Sequence, residues 1–87
     1  MVAHLSDVQR AFDELISETR SREEISAWAR SLRLEDDKGQ LSFEPAEMSD
    51  RIWRSLIYLE GVDLKDSPTT YLHVPEDFLG FRSRMGV

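Results

Sequence analysis

His73-Val74-Pro75-Glu76-Asp77 brings three potential metal ligands within five residues. A zinc site needs three or four protein donors, and His73 precedes Pro75, off the helix face that Glu76 and Asp77 would share. The cluster therefore reads as a packing or capping histidine followed by acids that favour a helix N-terminus. Nucleophilic catalysis needs a base beside the nucleophile, and the histidines are His4 and His73 alone, with no cysteine. His4 lies in a terminus expected to fray, and no G-x-S-x-G elbow is present. The carboxylate pairs Asp13-Glu14, Glu23-Glu24 and Glu76-Asp77 are adjacent in helical segments. Their side chains point about 100° apart and do not converge on one atom. Asp36-Asp37-Lys38-Gly39 lacks the alternating acids and closing glutamate of a calcium loop, since residue 45 is proline. The glycines at 39, 61, 80 and 86 are single, so no phosphate-cradling loop is formed. The expectation is a protein that is not an enzyme and has no cofactor and no metal. An enzymatic alternative rests on His73, Glu76 and Asp77 only.

Such a chain must act by binding, and its size limits how. With 87 residues it forms a single domain, spanning 1–87, around one modest core. Without cysteine, apolar packing alone must hold it. No apolar run approaches the roughly 20 residues that span a bilayer, and residues 1–6 show no signal-peptide pattern. A cytoplasmic location is expected. The net charge is -6, from 17 acids and 11 bases. Counterion release drives nucleic-acid binding, and an acidic surface forfeits it unless a local basic patch intervenes. Neither nucleic acid nor membrane is expected as a partner.

The elements that position these side chains are helical. Val8, Ala11, Phe12, Leu15 and Ile16 recur at one-face spacing, which predicts a helix over 7–18 capped by Ser6. Ser21-Arg22-Glu23-Glu24 has capping-box form and opens a second helix over 22–33, carrying Ile25, Trp28, Ala29 and Leu32. Residues 34–44 break the pattern, with turn chemistry at 36–39 and brief alternation at Leu41 and Phe43. Pro45 suits a first helical turn, and Met48, Ile52, Leu56 and Leu59 form the stripe of a third helix over 46–60. Gly61 then stands at a C-terminal position with Val62 placed to pack back. Thr69 to Leu72 have strand propensity. Pro75 opens a fourth helix with Phe78, Leu79 and Phe81, weakened by Gly80. The fold class expected is all-α: a small four-helix domain with irregular acidic connections and possible extended segments near 41–43 and 69–72. The expected core is Phe12, Leu15, Ile16, Ile25, Trp28, Leu32, Ile52, Trp53, Leu56, Leu59, Phe78 and Leu79.

Charge is unevenly spread along these elements. Residues 1–34 hold six acids and five bases; 35–50 hold six acids against Lys38; 60–77 hold five acids against Lys65. The negative excess thus flanks the third helix. If both connections fold toward one face, they would steer a basic protein partner. The candidate contact residues are Asp36, Asp37, Phe43, Glu44, Glu47, Asp63, Asp66 and Tyr71, the two aromatic rings anchoring an acidic rim. The alternative is a structural or accessory helical subunit that self-associates through the apolar third helix; the oligomeric state expected is a monomer or a weak homodimer.

Ser21-Arg22-Glu23-Glu24-Ile25-Ser26-Ala27-Trp28-Ala29 and Tyr71-Leu72-His73-Val74-Pro75-Glu76-Asp77-Phe78, preceded by Asp63-Leu64, resemble segments of small bacterial immunity proteins. Those proteins neutralise toxins of polymorphic and contact-dependent systems. The resemblance covers about a quarter of the chain. It implies a tight, non-catalytic inhibitor whose acidic surface occludes a basic toxin domain.

Overall fold

A computed structural model describes residues 1–67, 70–71 and 75–87, and of 65–67 and 70–71 the backbone alone. The chain runs β1 (Val2–His4), α1 (Leu5–Ser17), α2 (Arg22–Asp37), β2 (Ser42–Glu44), a single 3-10 turn (Ala46–Met48), α3 (Ser49–Glu60), β3 (Lys65–Ser67), β4 (Thr70–Tyr71) and α4 (Pro75–Met85). The expected four helices are present. The extended segments expected near 41–43 and 69–72 are β2 and β4, and each pairs with a strand that periodicity does not reveal. Of the latter segment, Thr69 and Leu72 lie outside the described residues.

The N-terminus is not frayed. β1 lies parallel to β2, with Val2 opposite Ser42, Ala3 opposite Phe43 and His4 opposite Glu44. The Ser42 N–H donates to the Met1 carbonyl at 3.0 Å, extending the pairing by one residue. Three residues with a single buried side chain, Ala3, are too few to show alternation, which explains why the sequence conceals β1. The strand also moves the helix start. His4, in extended conformation, is the N-cap of α1 in place of Ser6, and its N–H donates to the Asp7 carboxylate at 3.3 Å. α1 ends at Glu18, whose φ of 60° is left-handed and stops the helix without a glycine.

α2 begins as its capping box dictates, with the Glu24 N–H donating to Ser21 Oγ at 3.1 Å. It ends four residues later than the spacing predicts. Arg33 pairs with Asp37 at 3.3 Å and Lys38 with Glu35 at 3.6 Å, so Asp36 and Asp37 belong to the last helical turn. The turn proper is Lys38-Gly39, with Gly39 at φ +71°. Pro45 precedes the 3-10 turn and is not inside a helix, and α3 starts at Ser49. Gly61 has φ −100°, so no left-handed C-terminal motif forms there; Val62 nevertheless packs back and is fully buried.

The core joins all four helices. Val8, Phe12 and Leu15 from α1 meet Ile25, Ala29 and Leu32 from α2, Ile52, Leu56 and Leu59 from α3, and Phe78 from α4. Ile52, Leu56 and Leu59 of the α3 stripe are thus buried internally, while Ile57 on the same helix stays 46% exposed. Leu79 departs from the expected core at 53% exposure, and Phe81 takes its place against it. Phe81 stacks on Tyr58 with centroids 4.1 Å apart and on Phe12 at 5.8 Å. Ile16, Trp28 and Trp53 are half-buried at the core margin. The two buried serines are satisfied: Ser55 Oγ donates to the Arg51 carbonyl, and Ser26 Oγ to the Glu60 carbonyl at 2.6 Å. Ser26 thereby closes the C-terminus of α3 from a neighbouring helix.

Candidate functional site

The expected contact residues are spread over several elements of the fold. Asp36 and Asp37 end α2, and Asp37 is occupied by Arg33. Phe43 packs edge-on against Trp53, with centroids 6.4 Å apart, so it covers the core margin and offers no free anchor. Glu44 sits across the strand pair from His4, its Oε2 3.5 Å from His4 Nδ1. Glu47 is exposed on the 3-10 turn, and Asp63 is half-buried beyond α3. The side chains of Asp66 and Tyr71 lie outside the described residues, as does His73 with its part in any ligand cluster. Among the described residues, no group of three or more His, Cys, Asp or Glu could hold an ion.

Much of the charge is internally committed. Glu60 is the clearest case: Arg33 Nε donates to its carboxylate at 2.7 Å, and Arg30 Nε lies at 3.5 Å. The Arg33 hydrogen bond holds the Glu60 carboxyl below its ordinary range, against the opposing effect of burial. Arg10 faces Asp7 and Glu14, Arg20 faces Glu24, and Lys38 faces Glu35. Arg22 lies over the Phe78 ring at 5.0 Å.

One region differs. Segments 51–59 and 78–87 contain no acid and four arginines, Arg51, Arg54, Arg82 and Arg84. The fold sets them side by side, because Tyr58 on α3 stacks on Phe81 of α4. A Cβ built on Gly86 would stand 3.0 Å from Arg51 Nη1, so the start of α3 adjoins the end of α4. Arg51 and Arg84 are exposed and form no ion pair among the described residues. Arg54 is 62% exposed and paired only with Asp50, one turn back on its own helix, at 3.2 Å. Arg82 is held: its Nη1 reaches Asp13 at 2.6 Å, its Nε donates to the Val87 carbonyl, and it lies over the Phe12 ring. Tyr58 beneath has its phenol pushed up by burial, Asp77 adding to this while Arg84 and Arg22 oppose it. The result is an edge of three available guanidinium groups, a geometry suited to phosphate oxygens.

The comparisons with known proteins bear on that edge. A family model described as "YxzC DNA-binding protein" matches residues 3–82. The chain belongs to that family. The protein named "Uncharacterized protein YxzC" of Bacillus subtilis (strain 168) is 46% identical over 57 residues, 66% of this chain and 41% of that protein. The chain thus spans about two fifths of the length of its YxzC relative. No solved structure matches.

Membership of the YxzC family overturns the resemblance to immunity proteins, and with it the reading as a toxin inhibitor and the toxin domain as partner. It also conflicts with the exclusion of nucleic acid. A capping box beside a tryptophan is a local solution to ending a helix and carries no ancestry. Net charge is a sum over the whole surface, whereas a contact is local, and the local sum at segments 51–59 and 78–87 is opposite in sign. Segments 51–59 and 78–87, without acids and with four arginines, are legible in the sequence itself.

No helix among the described residues is long and apolar enough to cross a membrane.

Proposed function

We propose that this protein binds duplex DNA through phosphate contacts made by Arg51, Arg54 and Arg84. The observation that carries the reading is the convergence of two acid-free, arginine-bearing segments at the junction of α3 and α4, in a chain whose family is described as DNA-binding. Phosphate contacts set position and orientation on the duplex; they do not read bases. The short link between α1 and α2 suggests a helix-turn-helix, but α2 is a poor recognition helix. Its exposed first turn carries Glu23 and Glu24, where such a helix must approach DNA, and carboxylates there repel phosphates.

The acidic remainder of the surface restricts contact to this one edge and keeps affinity modest, in the range of about 10⁻⁴–10⁻⁶ M typical of phosphate-driven binding. The role is non-catalytic. It places the protein in the compartment of the chromosome, consistent with a cytoplasmic location. Fluorescence anisotropy of a labelled 20-base-pair duplex tests the reading. The wild-type protein should bind, and the Arg51→Ala/Arg54→Ala/Arg84→Ala variant should lose at least tenfold in affinity with its fold intact. Equal affinities would refute it.

A further inference from the structure

Resting on the DNA-binding reading, we infer that Asp50 is an internal competitor for phosphate at Arg54 and so sets the strength of DNA contact at the α3–α4 edge. The four arginines of this region are close to acids or free of them in different ways, and the difference decides which can be exchanged. Arg82 is only 22% exposed, and Asp13, the Val87 carbonyl and the Phe12 ring fix its guanidinium from three directions. It joins α1 to α4 and cannot turn outward without undoing that junction. Arg51 and Arg84 need no release. Arg54 lies between these cases. Its partner Asp50 is 73% exposed, on the same helix at i,i+4, and among the described residues the pair bonds nothing else.

An exposed pair of this kind is weak, because water solvates both ions and two flexible side chains must be ordered. A phosphate offers the same two-oxygen acceptor geometry as the carboxylate, and Arg54 can exchange one for the other at small cost. Asp50 also stands in the first turn of α3, one residue from Arg51, so its charge opposes an approaching phosphate directly. Removing the carboxylate therefore helps twice, once through the freed Arg54 and once through the lost repulsion. Only the first effect depends on Arg54.

A double-mutant cycle separates them. Duplex affinity is measured by anisotropy for the wild type, Asp50→Asn, Arg54→Ala and the double variant. Asp37→Asn serves as the charge-matched control, since Asp37 forms the same i,i+4 pair with Arg33, a residue that reaches Glu60 at the opposite end of α3. Asp50→Asn should tighten binding by about twofold more than Asp37→Asn, the strength of such a helical pair. That excess should shrink in the Arg54→Ala background to the part that comes from the lost repulsion beside Arg51. Thermal melts of each variant confirm that the fold is retained. An excess that is undiminished without Arg54, or no excess at all, overturns the inference while leaving the DNA reading intact if Arg51→Ala and Arg84→Ala still weaken binding. Absence of wild-type binding to the duplex overturns both.

Discussion

Arg51 and Gly86 lie against one another: a Cβ on the glycine would stand 3.0 Å from the guanidinium, and Gly86 holds φ at +68°. The contact joins the start of α3 to the end of α4 and brings the arginines of two separate segments onto one edge. Two effects would follow from an alanine there. The side-chain contact is with the far end of a flexible arginine, which can swing aside cheaply. The backbone is less forgiving, because left-handed φ costs a Cβ-bearing residue roughly 1–2 kcal/mol. Gly86→Ala should therefore lower Tm by several degrees, and the loss should be the same in an Arg51→Ala background. A loss that disappears without Arg51 would assign the cost to the side-chain contact instead.

The pairing of Glu60 with Arg33 and Arg30 makes stability depend on acid. The carboxyl titrates below its ordinary value in the folded protein, chiefly through the Arg33 hydrogen bond. Its contribution is fully present above the unfolded pKa of about 4.3, and is lost as pH falls through the folded value. Chemical denaturation of wild type and Glu60→Gln should give a stability difference that is largest near neutrality and shrinks below pH 4. A constant difference across that window would contradict the pairing as its source.

Helix α4 buries Phe78 and Phe81 and exposes Leu79. Phe81→Ala removes the ring stacked between Tyr58 and Phe12 and should cost about 2–3 kcal/mol, less than the roughly 3–5 kcal/mol of a fully buried aromatic because Phe81 is only half-buried. Leu79→Ser should change stability by less than about 0.5 kcal/mol. Denaturant midpoints distinguish them, and similar losses would mean that the helix docks by a different face.

How much of this was legible beforehand follows from where the periodicity is long. Helices α1 to α3 each present four or more apolar residues at regular spacing, and the capping box at Ser21 and Glu24 marks a start that the structure keeps. Boundaries failed where a side-chain pair decided them: Arg33 with Asp37 prolongs α2, and His4, set by strand pairing with Glu44, begins α1. Leu79 was misplaced because α4 offers three apolar residues in four positions, too few to choose a face. The arginine edge is a different matter. Its charges are written in the sequence as two acid-free stretches, but their meeting depends on the Tyr58–Phe81 contact, which joins residues 23 positions apart. The acids, being more numerous, drew attention to the two connections that flank α3.

The acids that drew that attention should matter little to DNA. Asp36 and Asp37 terminate α2, and neither belongs to the α3–α4 edge. Neutralising both to asparagine should shift duplex affinity by no more than about threefold, through the general field of the molecule. A tenfold gain would show that the duplex passes close to the end of α2.

The salt dependence of duplex binding tests the central claim most directly. Each arginine that displaces a counterion from the duplex contributes about −0.9 to the slope of log K against log salt concentration. Three contacts at Arg51, Arg54 and Arg84 predict a slope of about −3, with about a fortyfold loss of affinity between 50 and 200 mM salt. Each single arginine-to-alanine change should make the slope shallower by about one. Slopes that stay the same in all three variants would contradict the account.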